Sequence, residues 1–262
     1  MNHRGQTWLA PILGGGLIFA VWYSLRHVFG VPAWVLPMPH EVVGAIVDDG
    51  AMFLRAALLT ARTALLGFFA AALGGLVLAL LLGSGAWVRR SFYPYLVVLQ
   101  LTPVIVIAPL IILGVGRGLP GIVLVTFIVS FFPVVVNTTL GLVSTERNLV
   151  ELFDVCDARW WQRLLLLRLP SAMPHYFAGL RIAASLAPIG AIFGEFVTGS
   201  MEGGTGGLGF LAYYFSNRQL PASLLAVGAV SCAVGFVFLA VIGAANWLLL
   251  RRWHDSVSPS DG

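Results

Sequence analysis

The chain contains no lysine, since all fifteen of its basic residues are arginine. The phosphate-binding loop of P-loop ATPases requires a lysine in the pattern GxxxxGK[ST], so this chain cannot supply a standard ATPase site. A lysine Schiff base is excluded for the same reason.

Metal ligands and reactive thiols are scarce as well. None of the five histidines has HExxH spacing, and no Cys/His cluster has zinc spacing. The two cysteines, Cys156 and Cys232, lie far apart in apolar settings, which predicts unpaired, buried or inert thiols. There is no GxSxG nucleophile motif and no acidic pair within an apolar run. We therefore expect no metal site, no catalytic residues and no cofactor in this chain.

Charge is the third thing the sequence has little of. Only 10% of the 262 residues are charged and 59% are hydrophobic, whereas a soluble domain is about 25% charged and about 45–50% apolar. Several apolar runs reach the roughly 20 residues that a bilayer-spanning helix needs. The net charge of +4 comes without an arginine-rich stripe, so it indicates basic loops and no nucleic-acid binding. The composition predicts an all-α polytopic membrane protein, with the lipid bilayer as its surroundings.

Six spans can be drawn along the chain. They cover residues 7–25, 56–84, 94–116, 119–141, 176–198 and 221–250. The first has some features of a signal sequence, but no small-x-small cleavage site follows it, so we expect a retained helix. The predicted organisation is residues 1–54 as one helix with an amphipathic outer segment, residues 55–250 as the core, and residues 251–262 as a short tail.

The arginines orient these spans. With the N-terminus in the cytoplasm, ten of the fifteen arginines fall on the cytoplasmic side, in agreement with the positive-inside rule. This count includes Arg181, which we expect at the start of a helix. Six spans then put both termini in the cytoplasm, and the protein is expected in the inner membrane of a bacterium.

One helix carries a ladder of small residues. The ladder recurs every four residues and consists of Gly67, Ala71, Gly75, Ala79 and Gly83. Such faces let membrane helices approach one another closely. The ladder predicts either helix packing within one subunit or a seam between two subunits.

A few polar residues lie in or near the spans. They are Gln100, Thr102, Asn137 and Glu195. An ionisable group inside a membrane is a functional candidate, and prolines that break helices are tolerated where they line a cavity. These four residues are candidates for lining a pathway, although Glu195 could instead have a structural role at the headgroup level.

The stretch GGTGGLG, residues 203–209, contains a match to the dinucleotide-binding pattern GxGxxG. That pattern has meaning only between a strand and a helix, and a transmembrane helix precedes it here. We interpret this stretch as an outer loop.

The charged residues are concentrated in ELFDVCDARWWQRLLLLRLPSAMP, residues 151–174. So much charge cannot lie in hydrocarbon, which makes this part of a cytoplasmic loop, residues 144–175. We predict a short helix up to Cys156, Asp157 as the N-cap of a second helix, and an end to that helix at Leu169-Pro170 and Pro174. Its Trp and Arg residues suit either a protein interface or the surface of the inner leaflet.

The spacing within this stretch resembles the EAA loop of binding-protein-dependent ABC transporter permeases. In that loop, EAA is followed by three residues, Gly, nine residues, Ile, one residue and Leu-Pro. Here Glu151 matches the Glu, Leu167 replaces the Ile, and Leu169-Pro170 match the end. Residues 101–120, 130–141, 176–196, 206–211 and 36–42 also resemble the nitrate/sulfonate/taurine and thiamine-precursor branch of the family.

The resemblance implies the type I ABC importer permease (MetI-like) architecture with six transmembrane helices. Its implied partners are a cytoplasmic ABC ATPase that binds ATP and Mg²⁺, an extracytoplasmic substrate-binding protein, and a second copy of the chain. The loop would contact the ATPase. The loop residues concerned are Glu151, Asp154, Asp157, Arg159, Trp160, Arg163, Leu169 and Pro170.

The chain departs from the pattern at three positions. Leu152-Phe153 replace the Ala-Ala pair, and Asp157 replaces the Gly. Asp adopts the left-handed conformation more readily than most residues, so we expect the bend to be kept. Two other classes, a channel that works without an ATPase and a membrane-embedded enzyme, stay open as alternatives, and the solute is not distinguished.

Overall fold

The computed structural model describes residues 3–198 and 206–254, and all regular structure within them is helical. In chain order the helices are α1 (His3–His27), α2 (Pro39–Asp48), α3 (Gly50–Gly83), α4 (Ala86–Leu101), α5 (Val104–Val115), α6 (Leu119–Val143), α7 (Arg147–Val155), α8 (Trp160–Gln162), a π-helical turn (Arg163–Arg168), α9 (Leu169–Thr198), α10 (Leu208–Asn217) and α11 (Pro221–His254). The first residues of GGTGGLG and the last eight residues of the expected tail lie outside the described ranges.

Four helices are each long and apolar enough to cross a membrane: α3, α6, α11 and the helix that runs from Trp160 to Thr198. The pair α4 and α5 supplies a fifth crossing if it counts as one broken span. With 25 residues, α1 has the length of a sixth. The described helices are thus compatible with the six predicted spans.

The third predicted span, 94–116, is wrong as a single helix. The chain bends by 97° between α4 and α5. Pro103 has no N–H to donate to the preceding turn, and it forces Thr102 into an extended conformation with ψ of 122°. The apolar run therefore contains two helices that point in different directions.

Three other predicted boundaries also differ from the structure. Helix α3 begins at Gly50, so the boundary drawn at residue 54 falls inside it. Helix α9 begins at Leu169 and contains Pro174, and α11 runs past residue 250 to His254. Arg181 consequently lies well inside α9, and the expectation that it sits at the start of a helix is wrong.

The centre of the fold consists of α3, α6 and α9, and α10 and α11 pack around it. The ladder of small residues on α3 faces α6 of the same chain. A Cβ added at Gly75 would lie 2.7 Å from Val134, and one at Gly83 would lie 2.8 Å from Leu142. Ala71 and Ala79 are fully buried. The ladder therefore packs against α6 of the same subunit.

Glycines of α9 bring it equally close to α6. A Cβ at Gly179 would come within 2.9 Å of the Pro133 carbonyl, and one at Gly190 within 3.0 Å of the Thr126 backbone. Close backbone approach of this kind is how membrane helices associate without a hydrophobic driving force. Because three helices touch nearly backbone to backbone, their ends have fixed positions, and the two clusters described next are built on those ends.

Candidate functional site

The charged stretch folds into a compact helical knob, defined here as residues 147–168. It extends from the end of the bundle where α3 and α6 finish and α9 begins, which we term the knob end. Helix α7 stops at Val155, and the turn after it contains Asp157 with φ of +48°. The bend expected from the sequence is therefore present, with Asp in the left-handed conformation.

Backbone hydrogen bonds give this turn the Schellman pattern of a helix C-terminus. The Ala158 N–H donates to the Phe153 carbonyl at 3.0 Å, and the Asp157 N–H donates to the Asp154 carbonyl at 3.1 Å. Asp157 therefore ends the first helix, and the prediction that it caps the second is wrong. The N-cap of α8 is Arg159, whose N–H donates to Oε1 of Gln162 at 2.7 Å.

Arg163 connects the two arms of the knob, which are α7 on one side and α8 with the π-helical turn on the other. Its guanidinium forms an ion pair with Asp154 on α7, and its Nε donates to the Ala158 carbonyl at 2.9 Å. The pair is only partly buried, so the ionic contribution amounts to about 1 kcal/mol or less. Arg163 and Asp154 thus pair with each other, and Arg163 also binds the turn between the two arms.

A π-helical turn joins the knob to α9. The Leu169 N–H donates to the Leu164 carbonyl, five residues earlier, directly before Pro170. Pro170 has no N–H to continue an α-helical ladder, and the wider turn accommodates this defect without ending the helix. The prediction that Leu169-Pro170 and Pro174 end the helix is therefore wrong: a continuous helix runs from the knob to Thr198.

Two contacts fix the knob to the bundle. Nη1 of Arg168 donates to the carbonyl of Gly83, the last residue of α3, at 3.1 Å. Leu164 packs with Leu142 and Ala172 in a buried apolar cluster. A cleft of about 320 Å³ remains between the knob and the end of α3.

The outer surface of the knob carries exposed apolar side chains among its charged ones. Val155 is 83% exposed, Trp160 is 65% exposed and Leu152 is 56% exposed. Glu151 forms an exposed i, i+4 ion pair with Arg147, in which Nε of Arg147 lies 2.9 Å from Oε1 of Glu151. Exposed apolar groups gathered on a short charged segment are typical of an interaction surface.

A second polar cluster lies at the opposite end of the bundle, around Glu195 of α9. The Glu195 side chain is only 2% exposed, so it is not hydrated at the headgroup level. Thr60 donates to Oε2 at 2.8 Å, Thr63 to Oε1 at 3.1 Å, and the Gly209 N–H to Oε2 at 3.0 Å. These contacts join α3, α9 and α10 through one carboxyl group.

This cluster also caps α10. The free N–H groups of the first turn belong to Leu208 and Gly209, and they donate to Thr60 Oγ1 at 2.8 Å and to Glu195. A Cβ at Gly207 or Gly209 would collide with Glu195 or with the Ile192 carbonyl. The glycines of 206–209 therefore let the N-terminus of α10 reach a carboxyl group that accepts from its free N–H.

A protein-family model described as the binding-protein-dependent transport system inner membrane component matches residues 65–252. The chain belongs to this family of ABC transporter permeases. The match covers the knob and, from the second cluster, Glu195 and Gly209, while Thr60 and Thr63 lie before it. It confirms the resemblance seen in the sequence. Membership also makes the chain a multi-pass inner-membrane protein.

Curated relatives extend over nearly the whole permease. A probable ABC transporter permease protein of Haemophilus influenzae is 31% identical, over 93% of this chain and 96% of its own length. The riboflavin transport system permease protein RibX of Chloroflexus aurantiacus is 33% identical, over 92% and 88%. The formylaminopyrimidine transport permease protein ThiX of Halalkalibacterium halodurans is 35% identical, over 83% of each chain.

The four candidate pathway residues of the permease do not form one site. Gln100 is exposed near the α4–α5 break, and Thr102 there donates to its own helix at Val98. Asn137 donates to the Pro133 carbonyl at 2.8 Å, beside Gly179. Glu195 is occupied in capping α10. Among the described residues, no hydrogen bond joins any two of the four.

Sequence reasoning missed a groove between α9 and α11 of the permease. It encloses about 720 Å³, and its polar lining residues are Arg181 and Asn246. A usable signal was present, because Arg181 interrupts an otherwise apolar run. The signal was lost because Arg181 was assigned to the start of a helix.

Proposed function

We propose that this permease is the membrane-spanning subunit of an ATP-driven importer, in which the knob is the surface on which a separate ATPase acts. The observation that carries the proposal is the knob itself: a braced helical unit with an exposed apolar surface that continues directly into a transmembrane helix. The absence of lysine supports a separate ATPase, because the chain has no P-loop of its own.

The contacts within the knob support particular roles for its residues. Arg163 and Asp154 brace the unit, and Arg168 ties it to α3. The groups left to meet a partner are the apolar side chains of Leu152, Val155 and Trp160, with the neighbouring Arg159. Trp and Arg are the residues that most often anchor protein interfaces. An apolar cleft on the ATPase would fit this surface.

In the proposed cycle, two copies of the permease pair around the solute pathway, with both termini and the knob in the cytoplasm. The ATPase binds ATP and Mg²⁺, and its closure pushes on Trp160 and its neighbours. Because one helix runs from Trp160 to Thr198, the displacement reaches the far end of α9. A substrate-binding protein docks at that end and releases solute into the pathway.

The proposed solute is small and polar or anionic, of the nitrate, sulfonate, taurine, aminopyrimidine or riboflavin kinds. The relatives named as riboflavin and formylaminopyrimidine permeases support the last two kinds. Selection among these solutes is expected to lie largely in the binding protein.

The coupling role predicts that Trp160→Ala weakens binding of the ATPase. Loss of a tryptophan anchor costs about 2 kcal/mol or more, roughly 30-fold in affinity. The measurement is recovery of the ATPase on a tagged permease, together with its stimulated ATP hydrolysis. Trp34→Ala is the matched control, since Trp34 is 74% exposed and lies outside the knob. Undiminished recovery and hydrolysis with both Trp160→Ala and Arg159→Ala would rule out the coupling role and would favour an ATPase-independent channel.

A further inference from the structure

The groove between α9 and α11 contains one arginine, Arg181. Its walls are mostly apolar, formed by side chains such as Phe177, Phe236 and Leu239. Asn246 donates to the Phe177 carbonyl at 3.4 Å. Arg181 is exposed in the groove, and it forms no hydrogen bond or ion pair with any described residue. Within residues 3–198 and 206–254, no acidic side chain lines the groove.

Arg181 lies deep within the span. At 1.5 Å per residue it is about 18 Å along α9 from Leu169 and about 26 Å from Thr198. Its neighbour Gly179 packs against Val134 of α6, and Val134 packs against Gly75 of α3. Gly75 is about 12 Å from Gly83, where α3 ends.

Arg181 lies too deep in the membrane for lipid phosphates to serve as its counter-ion. Along α3 the stretch without charge, from Arg62 to Gly83, covers about 30 Å, the thickness of the hydrocarbon core. Arg181 is therefore about 12 Å or more inside that core, and lipid phosphates lie outside it. Arginines at such depth pair with another group or face a water-filled cavity, and they mark solute and ion pathways.

We propose that this groove is an anion-binding section of the solute pathway, with Arg181 as the group that holds the anion. The inference rests on the proposed function as an importer. Among the proposed solutes it favours those with an oxyanion, such as nitrate and the sulfonates, over the riboflavin and aminopyrimidine kinds named for two relatives. A guanidinium donates two parallel hydrogen bonds to an oxyanion. A volume of about 720 Å³ lies in the usual range for small-ligand sites, roughly 300–1,000 Å³.

The groove continues along the same two helices. A second cavity of about 320 Å³ shares Phe236 and Leu239 with it and extends to Ser185, Ser231 and Cys232. Both Ser185 and Cys232 are exposed. The lining of this second cavity is almost entirely apolar, and the Ser185 hydroxyl donates to the Ile182 carbonyl of its own helix at 2.7 Å. The anion site is therefore confined to the part of the groove around Arg181.

A cysteine placed in the groove tests the proposal without knowledge of the solute. Gly243 lines the groove, and a Cβ there would meet no atom within 4 Å. Gly243→Cys is made in a Cys156→Ser, Cys232→Ser background, and the full transporter is placed in lipid nanodiscs. The cysteine is treated with methanethiosulfonates bearing a sulfonate or a trimethylammonium group, and each rate is divided by the rate with a free thiol.

We expect the sulfonate reagent to be favoured about tenfold at residue 243, because a cleft of one charge concentrates the opposite charge. Arg181→Lys should keep this preference and Arg181→Gln should abolish it. Gly228→Cys, on the same helix with equally open space, should show no preference.

Three outcomes would overturn the proposal: no reaction at residue 243 with either reagent, equal normalised rates, or a preference that survives Arg181→Gln. Recovery of the ATPase on the same variants is scored separately. Its loss would count against the proposed function, and its retention with an unselective groove would count against the anion site alone.

Discussion

Asp157 shows how a single residue sets the shape of the knob. Its φ of +48° puts an L-residue in the left-handed region, where the family pattern has glycine. Such a conformation costs roughly 1–2 kcal/mol for an ordinary residue and less for Asp, whose short side chain can bond locally. The departure from the pattern therefore keeps the bend and gives up some local stability.

The first prediction follows from this cost. Asp157→Gly should stabilise the end of α7 by up to about 1 kcal/mol, while Asp157→Val should destabilise it, because a β-branched residue is strained at positive φ. The measurement is hydrogen exchange of the Asp157 and Ala158 amides, which should slow roughly fivefold in the glycine variant. Gln219, with φ of +53°, offers a second site where glycine should act in the same direction. Faster exchange in both glycine variants would contradict this account.

At the scale of elements, α10 depends on groups from other helices. Its first-turn N–H groups are satisfied by Thr60 of α3 and Glu195 of α9. A buried donor left without its acceptor costs about 1–3 kcal/mol. The position of α10 is therefore set by the carboxyl group of Glu195.

Glu195→Ala is accordingly predicted to release α10. The change leaves the Gly209 N–H and the Thr60 hydroxyl without their acceptor, whereas Thr63 keeps the Thr60 carbonyl at 2.9 Å. Trypsin should therefore cleave after Arg218, at the C-terminus of α10, at least about tenfold faster in the detergent-solubilised permease. Glu195→Gln keeps one acceptor oxygen, so its rate of cleavage should fall between the rates of the unaltered permease and of Glu195→Ala. Thr198→Val is the control, because Thr198 is buried and donates only to its own helix. Equal cleavage of Glu195→Ala and Thr198→Val would refute the capping role.

Helices with uninterrupted apolar runs could be predicted from the sequence. The bend at Pro103 and the π-helical turn before Pro170 could not. The span 119–141 lies within α6, and 221–250 within α11, because hydropathy alone marks such segments. Proline has opposite effects at different places in this chain. The chain bends sharply at Pro103, whereas the helix continues through Pro170 and Pro174. At Pro170 the preceding π-helical turn takes up the missing hydrogen bond, and no local sequence pattern predicts this turn. Pro174 lies within α9 without such a turn.

At the scale of the whole permease, α9 connects the two ends of the molecule. One end continues into the knob, and the other carries Glu195, which holds α10. The knob was predictable from the spacing of its residues, although the roles of Asp157 and Arg163 required the positions of both arms. The groove was not predictable, because α9 and α11 form it from residues about 60 positions apart.

The central claim, that the knob receives a separate ATPase, is tested most directly from its own cysteine. Cys156 is exposed and lies between α7 and Asp157. In a Cys232→Ser background, a photoactivatable benzophenone maleimide is attached to Cys156 in inside-out vesicles, and the products of illumination are identified by mass spectrometry. We predict a covalent adduct between the permease and a P-loop ATPase, absent from the Cys156→Ser control and strongly reduced by Trp160→Ala. Adducts confined to lipid or to the permease itself would contradict the account.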